Sequence, residues 1–165
     1  MKKLVLVLAI VFAGIMSANA QVWVGGGVNA QIQRGVTAIE LAPEVGYCIN
    51  NQWQVALGMD YSLATGGGYT AHQLYLEPYV RYVGGTIGKK FSLFVDLCGD
   101  IAAVNGAGYA VMLRPGIAWQ ATEKFTAAFR FGFAGYDHNF KGSGNNGFVM
   151  ACDLAAPQIR IYYNL

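Results

Sequence analysis

Leu76-Glu77-Pro78-Tyr79-Val80-Arg81-Tyr82 is one of four copies of a proline-centred pattern that decides the fold of this chain. The other copies begin at Leu41, Leu113 and Ala155, and successive prolines lie 35, 37 and 42 residues apart. In each copy apolar residues alternate with other residues, which is the period of a β-strand. An interval of this length holds two strands of about 10 residues with their turns. Four copies therefore predict eight strands.

The composition indicates that much of the surface faces an apolar environment. Of the 165 residues, 55% are hydrophobic and 12% are charged, against about 25% charged residues in typical soluble domains. This composition excludes an intrinsically disordered chain and, because there is no basic stripe, a nucleic-acid-binding protein. A closed β-barrel can satisfy its backbone in lipid without an apolar helix.

The first twenty residues have the features of a secretory signal peptide. Lys2 and Lys3 precede an apolar run of thirteen residues, Leu4 to Met16, and a small-residue cleavage motif ends at Ala20. The run is shorter than the roughly 20 residues that a membrane-spanning helix requires. We therefore expect export, cleavage after Ala20 and one mature domain over residues 21–165.

The predicted domain is an all-β, eight-stranded antiparallel up-and-down transmembrane β-barrel. Its strands are expected near residues 21–33, 36–48, 53–65, 69–83, 91–104, 109–120, 124–136 and 147–163. The prolines predict a bulge or bend at one height in every second strand. The last strand requires a change of face near Ala155-Ala156-Pro157, because its apolar residues switch parity there.

One face of the predicted strands is continuously apolar, and the other is small, polar or charged. Aromatic residues flank the short turns on the apolar face, as in the aromatic girdle of a membrane barrel. These girdle residues are Tyr47, Trp53, Tyr82, Phe91, Trp119, Phe125 and Tyr163. We therefore expect the apolar face to contact lipid, whereas a soluble periplasmic lipocalin-like barrel would turn that face inward.

Charged residues divide between the inward face and the connections. The lysines after residue 20 fall in turns or loops, whereas most arginines and carboxylates fall on the inward face, where the guanidinium fork suits carboxylates. The inward residues are Glu40, Glu44, Asp60, Glu77, Arg81, Asp96, Asp100, Arg114, Arg130 and Arg160. Side chains just fill an eight-stranded interior, so a salt-bridged, plugged lumen is favoured over an ion pathway.

We expect no catalytic residue, cofactor or metal. Residues 142–147 match a dinucleotide-binding glycine pattern but lack the surrounding βαβ unit, and the three cysteines fit neither a disulfide framework nor a zinc motif. A lipid-modifying enzyme would need a histidine with an acid or serine at the outer rim. His72 is expected on the lipid face and His138 in the longest loop, which argues against such an enzyme.

With its proline copies, aromatic girdle and C-terminal strand, Gln158 to Leu165, the chain resembles the small eight-stranded outer-membrane β-barrels of Gram-negative bacteria, the porin-like OmpA/OmpX class. The resemblance covers residues 21–165. It implies a non-enzymatic protein that contacts outer-membrane lipid and is inserted by the barrel-assembly machinery. We expect a role in envelope integrity, or in surface contact through the 137–146 loop, with at most weak porin activity. Many members end in Phe, whereas this chain ends in Leu165.

Overall fold

Strands account for most of the chain. The computed structural model describes residues 22–33, 36–66, 68–152 and 158–165. The expected signal peptide and the expected change of face near Ala155-Ala156-Pro157 lie outside these residues. The elements are β1 (Val22–Gln33), β2 (Val36–Cys48), β3 (Trp53–Gly66), β4 (Tyr69–Ile87), β5 (Phe91–Val104), β6 (Tyr109–Gln120), β7 (Phe125–Arg130), β8 (Gly132–His138), a 3-10 turn (Phe140–Gly142), β9 (Asn146–Cys152) and β10 (Gln158–Asn164).

The strand pairing closes the sheet into a barrel. Each strand from β1 to β6 pairs antiparallel with the next, β6 pairs with both β7 and β8, and β10 joins β7 to β1. Because β7 and β8 together form the seventh strand, and β9 and β10 belong to the eighth, the predicted eight-stranded antiparallel barrel is confirmed. In the described part of the chain, no helix is long and apolar enough to cross a membrane.

The ends of the barrel differ in their connections. Three tight connections, at residues 49–52, 88–90 and 121–124, lie at what we call the short-turn end. Asn50 closes the first, because its side-chain oxygen accepts hydrogen bonds from the backbone N–H groups of Gln52 (2.8 Å) and Trp53 (2.9 Å). The opposite, long-loop end carries the connection between β8 and β9.

The prolines predict a bulge or a bend, and the prediction of a bulge is wrong for Pro43 and Pro78. The register of β2 on β3, and of β4 on β5, is the same on both sides of these prolines. Proline has no N–H to donate, so it can interrupt hydrogen bonding to one neighbouring strand without inserting a residue. Register shifts in the β4–β5 pair lie instead between Leu74 and Tyr75 and between Val83 and Gly85.

An extra residue does occur opposite Pro115. Leu113 pairs with Ala134 and Gly116 with Arg130, so two residues of β6 face three residues, 131–133, of the seventh strand. The Phe131 N–H donates to the Pro115 carbonyl at 3.1 Å. This bulge changes the parity, so that even-numbered residues face inward in β7 but outward in β8.

The apolar face of the barrel points outward. Leu97, Leu113 and Ile161 are each about half exposed, whereas Asp96 and Arg130 are at most 1% exposed. The alternation follows from the strand period, which places successive side chains on opposite faces. A lipocalin-like barrel needs the reverse arrangement, with the apolar face inside.

A small aromatic core occupies the interior near the short-turn end. The rings of Trp23 and Tyr162 lie 4.4 Å apart, and Phe94 and Tyr79 are buried in the same cluster. Gly46 lies against the Trp23 ring so closely that a Cβ would overlap the ring carbons. The indole therefore needs glycine at this position.

Gly46→Ala is expected to lower the free energy of unfolding by about 1–3 kcal/mol, because an overpacked methyl group must displace the Trp23 ring. Urea unfolding of the barrel in detergent micelles measures this change. Gly85→Ala is the matched control, since nothing lies within 4 Å of the position its Cβ would take, and its effect should stay within about 0.5 kcal/mol. Equal stability of the two variants would contradict the packing described above.

Candidate functional site: the charged lumen

Three arginines and three carboxylates form a continuous chain of ion pairs across the interior. Arg130 bridges two carboxylates, because its Nε donates to Asp96 (2.8 Å) and its Nη1 donates to Glu77 (2.8 Å). Arg114 bridges Glu77 and Asp100, and its Nη2 lies 2.7 Å from the Asp100 oxygen. These five side chains are at most 8% exposed, so the ion pairs between them are buried in the interior of the barrel.

Arg81 joins this chain to the aromatic core. Its Nε and Nη2 donate to the two oxygens of Asp96 at 2.7 and 2.8 Å, a bidentate contact. Its Nη2 also lies 3.2 Å from the Tyr162 hydroxyl, and the guanidinium carbon lies 4.0 Å from the centroid of the Phe94 ring. With Arg81 included, the chain has three guanidinium groups and three carboxylates, so its charges balance.

A second buried group surrounds Glu44. Its carboxylate accepts a hydrogen bond from the Tyr79 hydroxyl (2.6 Å) and forms an ion pair with Arg160 Nε (2.6 Å). Arg160 Nη2 also lies 3.6 Å from Asp60. This group links β2, β4 and β10 across the interior.

Strand register explains why the charges meet. Asp96 lies opposite Arg81 on one neighbouring strand and opposite Arg114 on the other. Directly opposed residues of antiparallel strands project from the same face. Because Asp96 points inward, its neighbours Arg81 and Arg114 point inward beside it.

The loop after β8 folds over the long-loop end. The Lys141 ammonium lies 3.4 Å from Glu40 and 4.0 Å from Asp60, and its backbone N–H donates to the Ala107 carbonyl at 3.0 Å. Phe140 packs against the buried Tyr75 ring, with centroids 5.0 Å apart. The loop thus places one cation beside two acidic side chains at the mouth.

Asp137 holds this loop in place from inside the barrel. Its carboxylate accepts hydrogen bonds from the Phe140 backbone N–H (2.8 Å) and from the Ser143 hydroxyl (3.2 Å). Lys141 has a left-handed backbone with φ of 55°, which L-residues adopt rarely. Asp137 and the Ala107 contact hold the backbone in this shape.

The structure brings the expected lumen residues together in three places. Six of them form the continuous chain of ion pairs, which we call the axial chain: Glu77, Arg81, Asp96, Asp100, Arg114 and Arg130. The other four belong to the group around Glu44 or to the contact with Lys141. The expected residues and their companion Asp100 are Glu40, Glu44, Asp60, Glu77, Arg81, Asp96, Asp100, Arg114, Arg130 and Arg160. Inward parity could have identified Tyr79 and Tyr162, but no pattern in the sequence identifies Lys141.

The expected girdle residues lie near the short turns. Trp53 packs against Tyr82 with tilted rings (4.8 Å between centroids), and Phe125 meets Tyr163 edge to face (5.1 Å). Phe91 and Trp119 are cross-strand partners, whereas Tyr47 pairs with Val55. Their contact with a membrane interface stays a prediction.

In the described part of the chain, the two histidines have amide side chains as hydrogen-bond partners. His72 contacts the Asn105 amide (2.9 Å) and His138 contacts Asn146 (3.1 Å), so neither of these contacts supplies an acid or a nucleophile. Cys48, Cys98 and Cys152 are free thiols. Among the described residues, no three His, Cys, Asp or Glu side chains are grouped to hold a metal ion.

A closed eight-stranded barrel with an apolar exterior is the architecture of the small outer-membrane barrels, so the predicted resemblance is confirmed at the level of the fold. No protein-family model and no curated protein matches the sequence. Among solved structures, the outer membrane protein OprG from Pseudomonas aeruginosa is similar over 88% of this chain and 94% of its own, with 13% sequence identity and a TM-score of 0.40. The fold assignment stands on the strand pairing of this chain alone.

Arg130→Ala is expected to lower the free energy of unfolding by about 3–5 kcal/mol, because it removes a shared partner from two buried carboxylates. Lys141→Ala removes a half-exposed contact and should cost less than about 1 kcal/mol. Urea unfolding in one detergent compares the two variants. A loss no larger for Arg130→Ala than for Lys141→Ala would show that the axial chain is unimportant for stability.

Asp137→Ala is expected to loosen the loop over the mouth while the barrel stays folded, since the Phe140 N–H and Ser143 hydroxyl lose their acceptor. Hydrogen bonds to charged groups contribute about 1.5–3 kcal/mol, so amide exchange at Phe140 should accelerate at least about tenfold. Hydrogen-exchange mass spectrometry measures this, with the 49–52 turn as an internal reference. Unchanged exchange at residues 139–145 would mean that Asp137 does not hold the loop.

Proposed function

We propose that this chain is an integral outer-membrane β-barrel protein with a plugged, salt-bridged lumen. The observation that carries the proposal is its sidedness, with apolar side chains outside and buried ion pairs inside. Lipid offers no hydrogen bonds to an exposed backbone, and a closed barrel satisfies its backbone internally. The same exterior in water would be a large exposed apolar surface, which soluble monomers rarely carry.

The proposed role is non-enzymatic, in envelope integrity or in surface contact. In the proposed orientation, the short turns face the periplasm and the 137–146 loop faces outward, where it would meet a surface partner. Barrel-assembly machinery would insert the exported chain after removal of residues 1–20. The lipid-modifying alternative has little support, because the contacts of His72 and His138 are with asparagine side chains.

The plugged lumen argues for at most weak porin activity. Arg81, Arg114 and Arg130 are buried in the interior and are held by carboxylates. An ion moving through the barrel would have to displace these pairs. Their mutual attraction is strong in a medium of low dielectric constant, which supports a structural rather than a conducting role.

Membrane extraction followed by conductance measurements tests this proposal. We expect the native protein to need detergent for release and to migrate differently on gels before and after heating. The refolded barrel in a planar bilayer should show no sustained open state. Release of the protein by a salt wash would contradict the membrane assignment, whereas a stable conductance would contradict the plugged lumen alone.

A further inference from the structure

The barrel has a second feature, a polar vestibule at its short-turn end, that the proposed function does not use. This cavity has a volume of about 190 Å³ and lies on the axis, since residues from all eight strand positions line it. Its polar walls include the side chains of Cys48, Gln54, Ser92, Gln120 and Thr126, and Arg81 lies at its floor. Beyond Arg81 the axial ion chain closes the lumen, so the vestibule is a dead end.

We propose that the vestibule binds one small, uncharged solute rich in hydroxyl groups, such as a single sugar or polyol. Glutamine amides and serine or threonine hydroxyls supply both donors and acceptors, which matches hydroxyl groups that also do both. The volume is below the roughly 300–1,000 Å³ of sites for drug-sized ligands. A ligand the size of one sugar ring therefore fits better than an oligosaccharide.

The charge at the floor favours an uncharged ligand. The guanidinium group of Arg81 is already paired with Asp96, and the axial chain to which both belong has balanced charges. A buried anion would have to compete with Asp96, and a buried cation would lack a partner, both of which are costly. A neutral ligand needs only hydrogen bonds.

The wall of the vestibule also contains an unsatisfied donor. The indole N–H of Trp23, a residue that lines the vestibule, is buried and has no hydrogen-bond partner among the described residues. An unpaired buried donor is unfavourable in a folded protein. The oxygen of a bound hydroxyl group would supply a hydrogen-bond acceptor beside this wall.

Cys48 provides a native reporter of occupancy. It lines the vestibule, whereas Cys98 is only 1% exposed inside the barrel and Cys152 lies in β9, outside the vestibule lining. In a Cys152→Ser background, the rate of alkylation by N-ethylmaleimide therefore measures access to Cys48. The experiment uses the refolded barrel in detergent micelles, so its result is independent of membrane location and conductance.

Glucose is the probe, and glucuronate, the same ring with a carboxylate, is its charged counterpart. Glucose should slow alkylation by a factor of 1 + [glucose]/Kd, which is about elevenfold at ten times Kd. Gln54→Ala and Gln120→Ala should each weaken this protection about two- to tenfold, as expected for one lost hydrogen bond. Gln73→Ala is the matched control, because Gln73 is a glutamine of β4 outside the vestibule lining, and it should leave protection unchanged.

Each remaining outcome overturns the proposal. Absence of protection by glucose up to its solubility would show that the vestibule does not bind such solutes. Equal or stronger protection by glucuronate would show that the ligand is anionic. Protection that survives both vestibule substitutions would be a bulk effect of the sugar on the reagent, which alkylation of free cysteine under the same conditions would reveal.

Discussion

Confinement of charge on the barrel axis is the constraint on which the rest of this structure depends. Eight strands enclose a space that side chains just fill, so an inward carboxylate cannot rely on bulk water and must find a partner across the interior. Arg130 and Arg114 each hold two carboxylates, which the planar guanidinium fork can do and a lysine ammonium does less well. The chain of pairs therefore links side chains from β4, β5, β6 and β7 across the interior.

Strand alternation and residue chemistry made the sidedness of the barrel predictable from the sequence. Glu77 and Arg114, which form an ion pair, each lie directly before the proline of their own strand. The bulge at Phe131 could not be predicted, since it inserts one residue opposite Pro115 without any special residue type of its own. The closure of the mouth could not be predicted either, because it depends on left-handed backbone at Asn139 and Lys141.

The prolines mark the repeat correctly, although no bulge accompanies Pro43 or Pro78. Their spacing identified the repeat and hence the number of strands. Pro43 and Pro78 nevertheless leave the register unchanged, so the missing N–H weakens one ladder without bending the strand through an extra residue. At Pro115 the inserted residue lies on the neighbouring strand, where the Phe131 N–H reaches the Pro115 carbonyl. Proline thus changes the hydrogen bonding between neighbouring strands. The sequence of one strand does not show which residues of the next strand lie opposite it.

The two ends of the barrel interior differ in chemistry, and this asymmetry bears on what the barrel can do. At the long-loop end, Lys141 brings a charge to Glu40 and Asp60, and Phe140 covers Tyr75. At the short-turn end, uncharged amide and hydroxyl side chains, together with apolar residues such as Val83 and Ala118, line a space that Arg81 also borders. An uncharged solute in the vestibule would lie next to the axial chain, whose charges are balanced. Such a solute carries no charge that could compete for these ion pairs. This difference between the two ends is the basis for proposing a barrel that holds a small molecule at one end instead of one that passes it through.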